Sequence, residues 1–217
     1  MPSTIPSPPA KVRRTQEERR ASSESALISA ALKVLAVKGA AGMTLAEVAE
    51  TAGVSKGLVV HLYGNKKGLQ LAVLNHLRGE FSRRLSRGNA QGARGLEFLR
   101  TFIRMFVGSL GSAESNIKIY SALLSEAIFQ DKSFASAVAA MNSATIKLVR
   151  KCLEAEQLRG AQFIEPDLTS LATFIVATLS GIAQIFSINE SAQTRKLATA
   201  KLQTLCQAML DGMVIKK

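Results

Sequence analysis

The residues Thr44-Leu45-Ala46-Glu47-Val48-Ala49-Glu50-Thr51-Ala52-Gly53-Val54-Ser55-Lys56-Gly57-Leu58-Val59-Val60-His61-Leu62-Tyr63 spell two short helices joined by a tight turn. Thr44 precedes an apolar run and Glu47 follows three residues later, the spacing of a capping box that satisfies free N–H groups at a helix start. Leu45, Val48, Ala49 and Ala52 then share one face, and Gly53 supplies the left-handed conformation that ends the helix. Val54 tucks into the corner, Ser55 caps a second helix, and Val59 and Leu62 return at the spacing of its buried face. Ala49 is small, as two helices crossing closely over a short turn require. The pattern is a helix-turn-helix. A plain corner in a bundle needs a turn glycine and apolar spacing, but not two caps. Nor does it need Lys56, Gly57 and His61 on the exposed side of the second helix, where entry into a major groove calls for donors and close backbone approach.

Together with its flanks, from about Leu27 to Leu69, this stretch resembles the N-terminal domain of TetR-family transcriptional regulators. The likeness rests on Ile28-Ser29-Ala30-Ala31-Leu32-Lys33-Val34-Leu35-Ala36-Val37-Lys38-Gly39, then Met43-Thr44-Leu45, Ala49, Gly53-Val54-Ser55-Lys56-Gly57, His61-Leu62-Tyr63, Asn65-Lys66 and Leu69. It implies an all-α protein with an N-terminal three-helix helix-turn-helix DNA-binding domain and a C-terminal helical ligand-binding and dimerisation domain. The implied partners are a double-stranded DNA operator, a second copy of the chain, whose last two helices would pair with these, and an unidentified small-molecule effector. The residue matching Lys66 is assigned a DNA-backbone contact. The candidate DNA-binding residues are Thr44, Ser55, Lys56, Gly57, Leu58, Val60, His61, Tyr63 and Lys66. Where the family commonly has Thr and then Tyr on the recognition helix, this chain has Leu58 and Val60, so two hydroxyls that often serve phosphates in relatives are missing.

Charge points the same way. The 217 residues carry a net charge of +12, with 14 Lys/Arg against 6 Asp/Glu in residues 1–88 and 14 against 10 in residues 89–217. The basic half contains the helix-turn-helix, which fits a polyanionic partner. Hydrophobic content of 47% is enough for a sizeable core, and 5% aromatic content without Trp favours helices over sheet. Four of the five prolines lie in the first nine residues, leaving Pro166 alone to interrupt the rest.

Residues 1–20 read as a disordered basic arm, with Lys11, Arg13, Arg14, Arg19 and Arg20 available to phosphates or a minor groove. Residues 21–65 form the DNA-binding domain, 66–90 a connecting helix and 91–217 the ligand-binding and dimerisation domain. The first helix is expected from about Thr15 to Lys38, stopped by Gly39. Asn65 caps the connecting helix, whose positive end beside Lys66 and Lys67 suits a phosphate. Five body helices are expected near 93–110, 114–130, 132–158, 166–187 and 190–214, with Pro166 in the first turn of the fourth.

An enzyme, a metal site and a cofactor are not expected. His61 and His76 lack a nearby Cys or carboxylate at metal spacing, and no phosphate loop or dinucleotide fingerprint appears. Cys152 and Cys206 are too few for a disulfide framework, which suits a reducing cytoplasm, and the N-terminus has no apolar core of a signal peptide. Leu168 to Ile188 carries no charge and is long enough to span a membrane, but its Ser, Thr and Gln residues fit a helix buried between subunits better. The resemblance implies a ligand cavity among the body helices, for which Phe102, Phe106, Asn116, Tyr120, Asn142 and Gln184 are candidates. The expected function is sequence-specific transcriptional regulation, by a repressor released by a small, largely apolar ligand. A helical scaffold binding protein or lipid without DNA recognition is the alternative.

Overall fold

The computed structural model describes residues 15–89, 91–110, 117–129, 132–188 and 192–215, without the side chains of 19 and 192–197. Among them are α1 (Gln16–Gly42), α2 (Leu45–Ala52), α3 (Lys56–Tyr63), α4 (Lys66–Gly88), α5 (Gly95–Leu110), α6 (Ile117–Glu126), α7 (Lys132–Gln157), α8 (Leu168–Ile188) and α9 (Ala192–Gly212).

Short polar side chains set the helix starts. Thr15 and Glu18 form a reciprocal capping box at the start of α1. Residues 16–20, which the sequence boundary places in a disordered arm, therefore belong to a helix. Lys11, Arg13 and Arg14 of that arm lie outside the described residues, as does the side chain of Arg19. Arg20 is exposed and pairs with Glu24 at 2.9 Å. Gly39, at φ 69° and ψ −179°, interrupts α1 just after Lys38, but a further turn runs on to Gly42. Pro166 stands two residues ahead of α8, not inside its first turn. The cap is Asp167, whose carboxylate accepts from the backbone N–H groups of Thr169 and Ser170. A bond from the Ser170 hydroxyl first, and the Thr169 backbone bond after it, hold the Asp167 carboxyl below its ordinary pKa.

Two cores result. The first joins α1 through Leu27, Ala31 and Leu35, α2 through Val48, α3 through Val59 and α4 through Leu69, Val73 and Leu74. Ile119 and Leu123 of α6 and Phe134 and Val138 of α7 enter this same core. The second core is built from α5, α7, α8 and α9, with Leu85 of α4 joining it. α4 thus runs from one core to the other. Two amides of α9, Gln203 and Gln207, donate to the backbone carbonyls of Arg104 and Arg100 on α5, each at 3.0 Å, fixing these helices side by side.

The all-helical expectation misses one small element. β1 (Gln162–Phe163) pairs antiparallel with β2 (Val214–Ile215), with Phe163 opposite Val214. Two residues carry no period-2 signal, and the partner is reached only after α8 and α9 have turned the chain back.

α1 and α8 are each long and apolar enough to cross a membrane by length and composition. α1 lays its apolar side into the first core. α8 buries Leu171, Ala172, Ile175, Leu179 and Ala183, while Phe174, Gly181, Gln184, Ile185 and Ile188 form an exposed stripe at helical spacing.

Candidate nucleic-acid interface

The turn between α2 and α3 is a Schellman closure. Gly53 lies at φ 68° and ψ 32°, its N–H donates to Glu50 O at 3.0 Å, and the Val54 N–H donates to Ala49 O at 3.0 Å. A side chain at position 53 would meet no heavy atom within 4 Å, so glycine is needed there for its backbone angle alone. Val59, with no exposed surface, pins α3 to the core behind it.

The cap of α2 departs from a full capping box. The Thr44 hydroxyl accepts from the Glu47 N–H at 3.3 Å and donates to the Glu47 carboxylate at 3.0 Å. The Lys38 ammonium also pairs with Glu47, from the end of α1. The Lys38 bond first, and the Thr44 bond after it, lower the Glu47 pKa. The Thr44 hydroxyl is therefore already donating within the protein. Ser55 differs, because its hydroxyl accepts from Leu58 N–H at 3.3 Å and keeps its own proton for an outside acceptor.

Lys56, Gly57, Val60 and His61 are exposed on α3. A Cβ on Gly57 would meet only the Ser55 hydroxyl oxygen, at 3.8 Å, so no internal contact calls for glycine at that position. Leu58 is partly buried and turned aside. With His61 it lines a shallow depression whose other wall is the start of α1, including Gln16, Arg20 and Glu24. Tyr63 packs partly into the first core, and burial, with the nearby Glu24 charge, raises its phenol pKa.

Asn65 caps α4 by accepting from the Gly68 N–H at 3.0 Å, and the first turn holds no acidic residue. The positive end of this helix faces outward with Lys66, the arrangement that favours an anion. Lys66 is also engaged internally, donating to Ala41 O at 2.6 Å. Beside it the buried Gln70 amide donates to Ala40 O at 3.2 Å.

The body holds a cavity of about 380 Å³ between α4, α5, α6, α7 and α8. Phe102, Phe106, Tyr120, Asn142 and Gln184 line it, and Asn116 lies outside the described residues. The sequence reading of α4 as a plain connector overlooked Arg78 and Phe81, which also line it. The spacing of Leu77 and Arg78 against Phe81 and Leu85 places these residues on one helical face, which is the signal that was available. Phe81 meets Phe102 and Phe106 edge-on, with ring centroids 5.6 and 6.1 Å apart.

Among the described residues, no three His, Cys, Asp or Glu side chains come together as a metal site. Both cysteines are buried, and burial pushes the Cys152 thiol up to about 11, far from a nucleophile's range.

Known proteins match this arrangement at two levels. The sequence model of the bacterial regulatory proteins of the tetR family matches residues 27–73. The HTH-type transcriptional regulator CymR of Pseudomonas putida is 43% identical over 72 residues, covering 33% of this chain and 36% of its own length. The HTH-type transcriptional regulator BetI of Rhizobium meliloti is 42% identical over 55 residues, covering 25% of this chain and 27% of its own. The chain therefore matches only about a third of those relatives' lengths. A TetR-family transcriptional regulator from Agrobacterium tumefaciens aligns over 90% of this chain and all of its own, with a TM-score of 0.72 and 17% identity, a likeness of fold alone. Residues 27–73 thus carry the helix-turn-helix domain of the tetR family by sequence, and the whole chain shares its fold with TetR-family regulators.

Proposed function

We propose that the chain is a homodimeric repressor that leaves its operator when a small molecule fills the body cavity. One observation carries this reading: two helices belong to both the DNA-binding core and the cavity wall. On α6, Ile119 and Leu123 enter the first core, while Tyr120, Ser121 and Leu124 line the cavity. On α4, Leu77 does both. Packed interiors pass displacements on instead of absorbing them, so a ligand that moves α4 and α6 shifts the recognition helices.

On DNA, the open α3 face enters the major groove. Lys56 and His61 are assigned to base edges, Gly57 to close approach, and Ser55, Lys66 and the α4 terminus to phosphates. Thr44 and Tyr63 flank this contact. Val60 offers an apolar surface, and Leu58, turned toward α1, supports the helix from its edge. Residues 21–65 serve as the DNA-binding domain, 66–90 as the connecting helix and 91–217 as the ligand-binding and dimerisation domain. The exposed α8 stripe and Leu205 of α9, 64% exposed, supply the face for a second copy. The cytoplasm is the assigned compartment, and no catalytic role is assigned. The relatives are transcription regulators, so a scaffold without DNA recognition is not favoured.

Fluorescence anisotropy of the protein on DNA fragments flanking its gene, across a salt series, tests the reading. Expected are one fragment bound far above random DNA and affinity falling steeply with salt. Equal, salt-insensitive binding to all fragments would refute it.

A further inference from the structure

The cavity that the proposed function reads as an effector site is not a plain apolar pocket. Arg78 and Arg84, both on α4, contribute to its lining, as does Glu80. Glu80 is already satisfied, since its carboxylate pairs with Arg83, and that bond lowers its pKa. Arg84 is exposed and also acts on Glu80. Arg78 is different. It is partly buried, and among the described residues it has no hydrogen bond and no ion pair. The polar group nearest in effect is the Tyr120 phenol, which burial raises and the Arg78 charge pulls back.

A guanidinium held at a cavity wall with no anion paired to it among the described residues is chemically incomplete. Its planar fork of donors matches a carboxylate, and the partial desolvation of the site strengthens that pairing over the same pairing in water. Around it the cavity offers a phenol, the Asn142 amide and the cluster of Phe81, Phe102 and Phe106. We infer that the effector is an amphipathic carboxylic acid, bound as the carboxylate to Arg78, with a compact apolar body against Phe81, Phe102 and Phe106. A volume of about 380 Å³ suits such a molecule and lies near the lower end of small-molecule pockets. This inference rests on the effector-site reading of the cavity.

Isothermal titration calorimetry on the full chain tests it with two matched series: 4-phenylbutyrate, 4-phenylbutanamide and 4-phenylbutylamine, and nonanoate, nonanamide and nonylamine. In at least one series the acid should bind ten- to a hundredfold more tightly than the amide, with the amine weakest. Arg78→Gln should erase that preference while leaving amide binding within about twofold, and Arg78→Lys should restore part of it. Arg84→Gln, at the exposed rim, should change it only a few-fold. Leu148→Trp, at an exposed lining position, should obstruct all binding to the cavity. An amide or amine that binds as well as the acid, or an acid preference that survives in Arg78→Gln, overturns the carboxylate inference and leaves the effector site standing. Failure of all six compounds to bind, or binding untouched by Leu148→Trp, overturns the effector-site reading as well.

Discussion

The ammonium of Lys66 donates to the carbonyl oxygen of Ala41 at 2.6 Å, so the residue assigned to a DNA phosphate also closes the open end of α1. An ammonium has three donors, and one such bond leaves two for a phosphate. Lys66→Ala should therefore do two things at once: lower the stability of the chain by about 1 kcal/mol and reduce the salt slope of DNA binding by about one unit, equally on operator and random DNA. Thermal melts and anisotropy across a salt series measure the pair. A stability loss with an unchanged slope would confine Lys66 to holding α1.

Gly53→Val isolates the turn. Position 53 is open in space but lies at φ 68°, so the cost is backbone strain, about 1–3 kcal/mol. Operator affinity should fall sharply while circular dichroism still reports a helical protein. Gly53→Asn should be milder, because Asn tolerates the left-handed region. Undiminished operator affinity in the valine variant would count against the helix-turn-helix assignment.

His61 is exposed on α3 at the edge of the depression against α1. His61→Ala should reduce discrimination between operator and random DNA by about 1–3 kcal/mol while changing affinity for random DNA little. Competition binding with both DNAs reads the difference, and an equal loss on the two removes His61 from base reading.

Gly181 sits in the middle of the exposed α8 stripe with nothing within 4 Å of an added Cβ. Gly181→Glu costs a lone protomer little, but a two-fold interface there would have to desolvate two like charges. Sedimentation should show monomers with weak operator binding. A dimer of wild-type affinity would place the interface elsewhere.

The Cys152 thiol, raised to about 11 by burial first and by Glu156 after it, is protonated in the folded chain above its unfolded value. Its contribution to stability is fully present below about pH 9 and is lost as pH rises toward 11, because the unfolded chain releases the proton first. Cys152→Ala should flatten the alkaline end of the stability curve. Iodoacetamide at pH 8 should modify Cys152 only after unfolding.

Legibility followed the range of the interactions. The caps at Thr44, Ser55 and Asn65 and the left-handed Gly53 were readable because donor and acceptor lie within three or four residues of each other. The five body helices were readable from apolar spacing. The same spacing could not tell a core phenylalanine from one on a cavity wall, since both repeat at three and four residues. It could not show Leu58 turning toward α1, or Lys38 pairing with Glu47.

The sequence by itself determined the helix-turn-helix, its caps, its turn and the helical character of the body, all of which arise from contacts along the chain. The packing of distant segments decided the rest: Arg78 set beside Tyr120, α6 shared between the DNA-binding core and the cavity, Lys66 closing the end of α1, and β1 pairing with β2. Each of these joins residues far apart in the chain. Helical periodicity specifies which face of a helix is apolar, but not which other helix that face will meet.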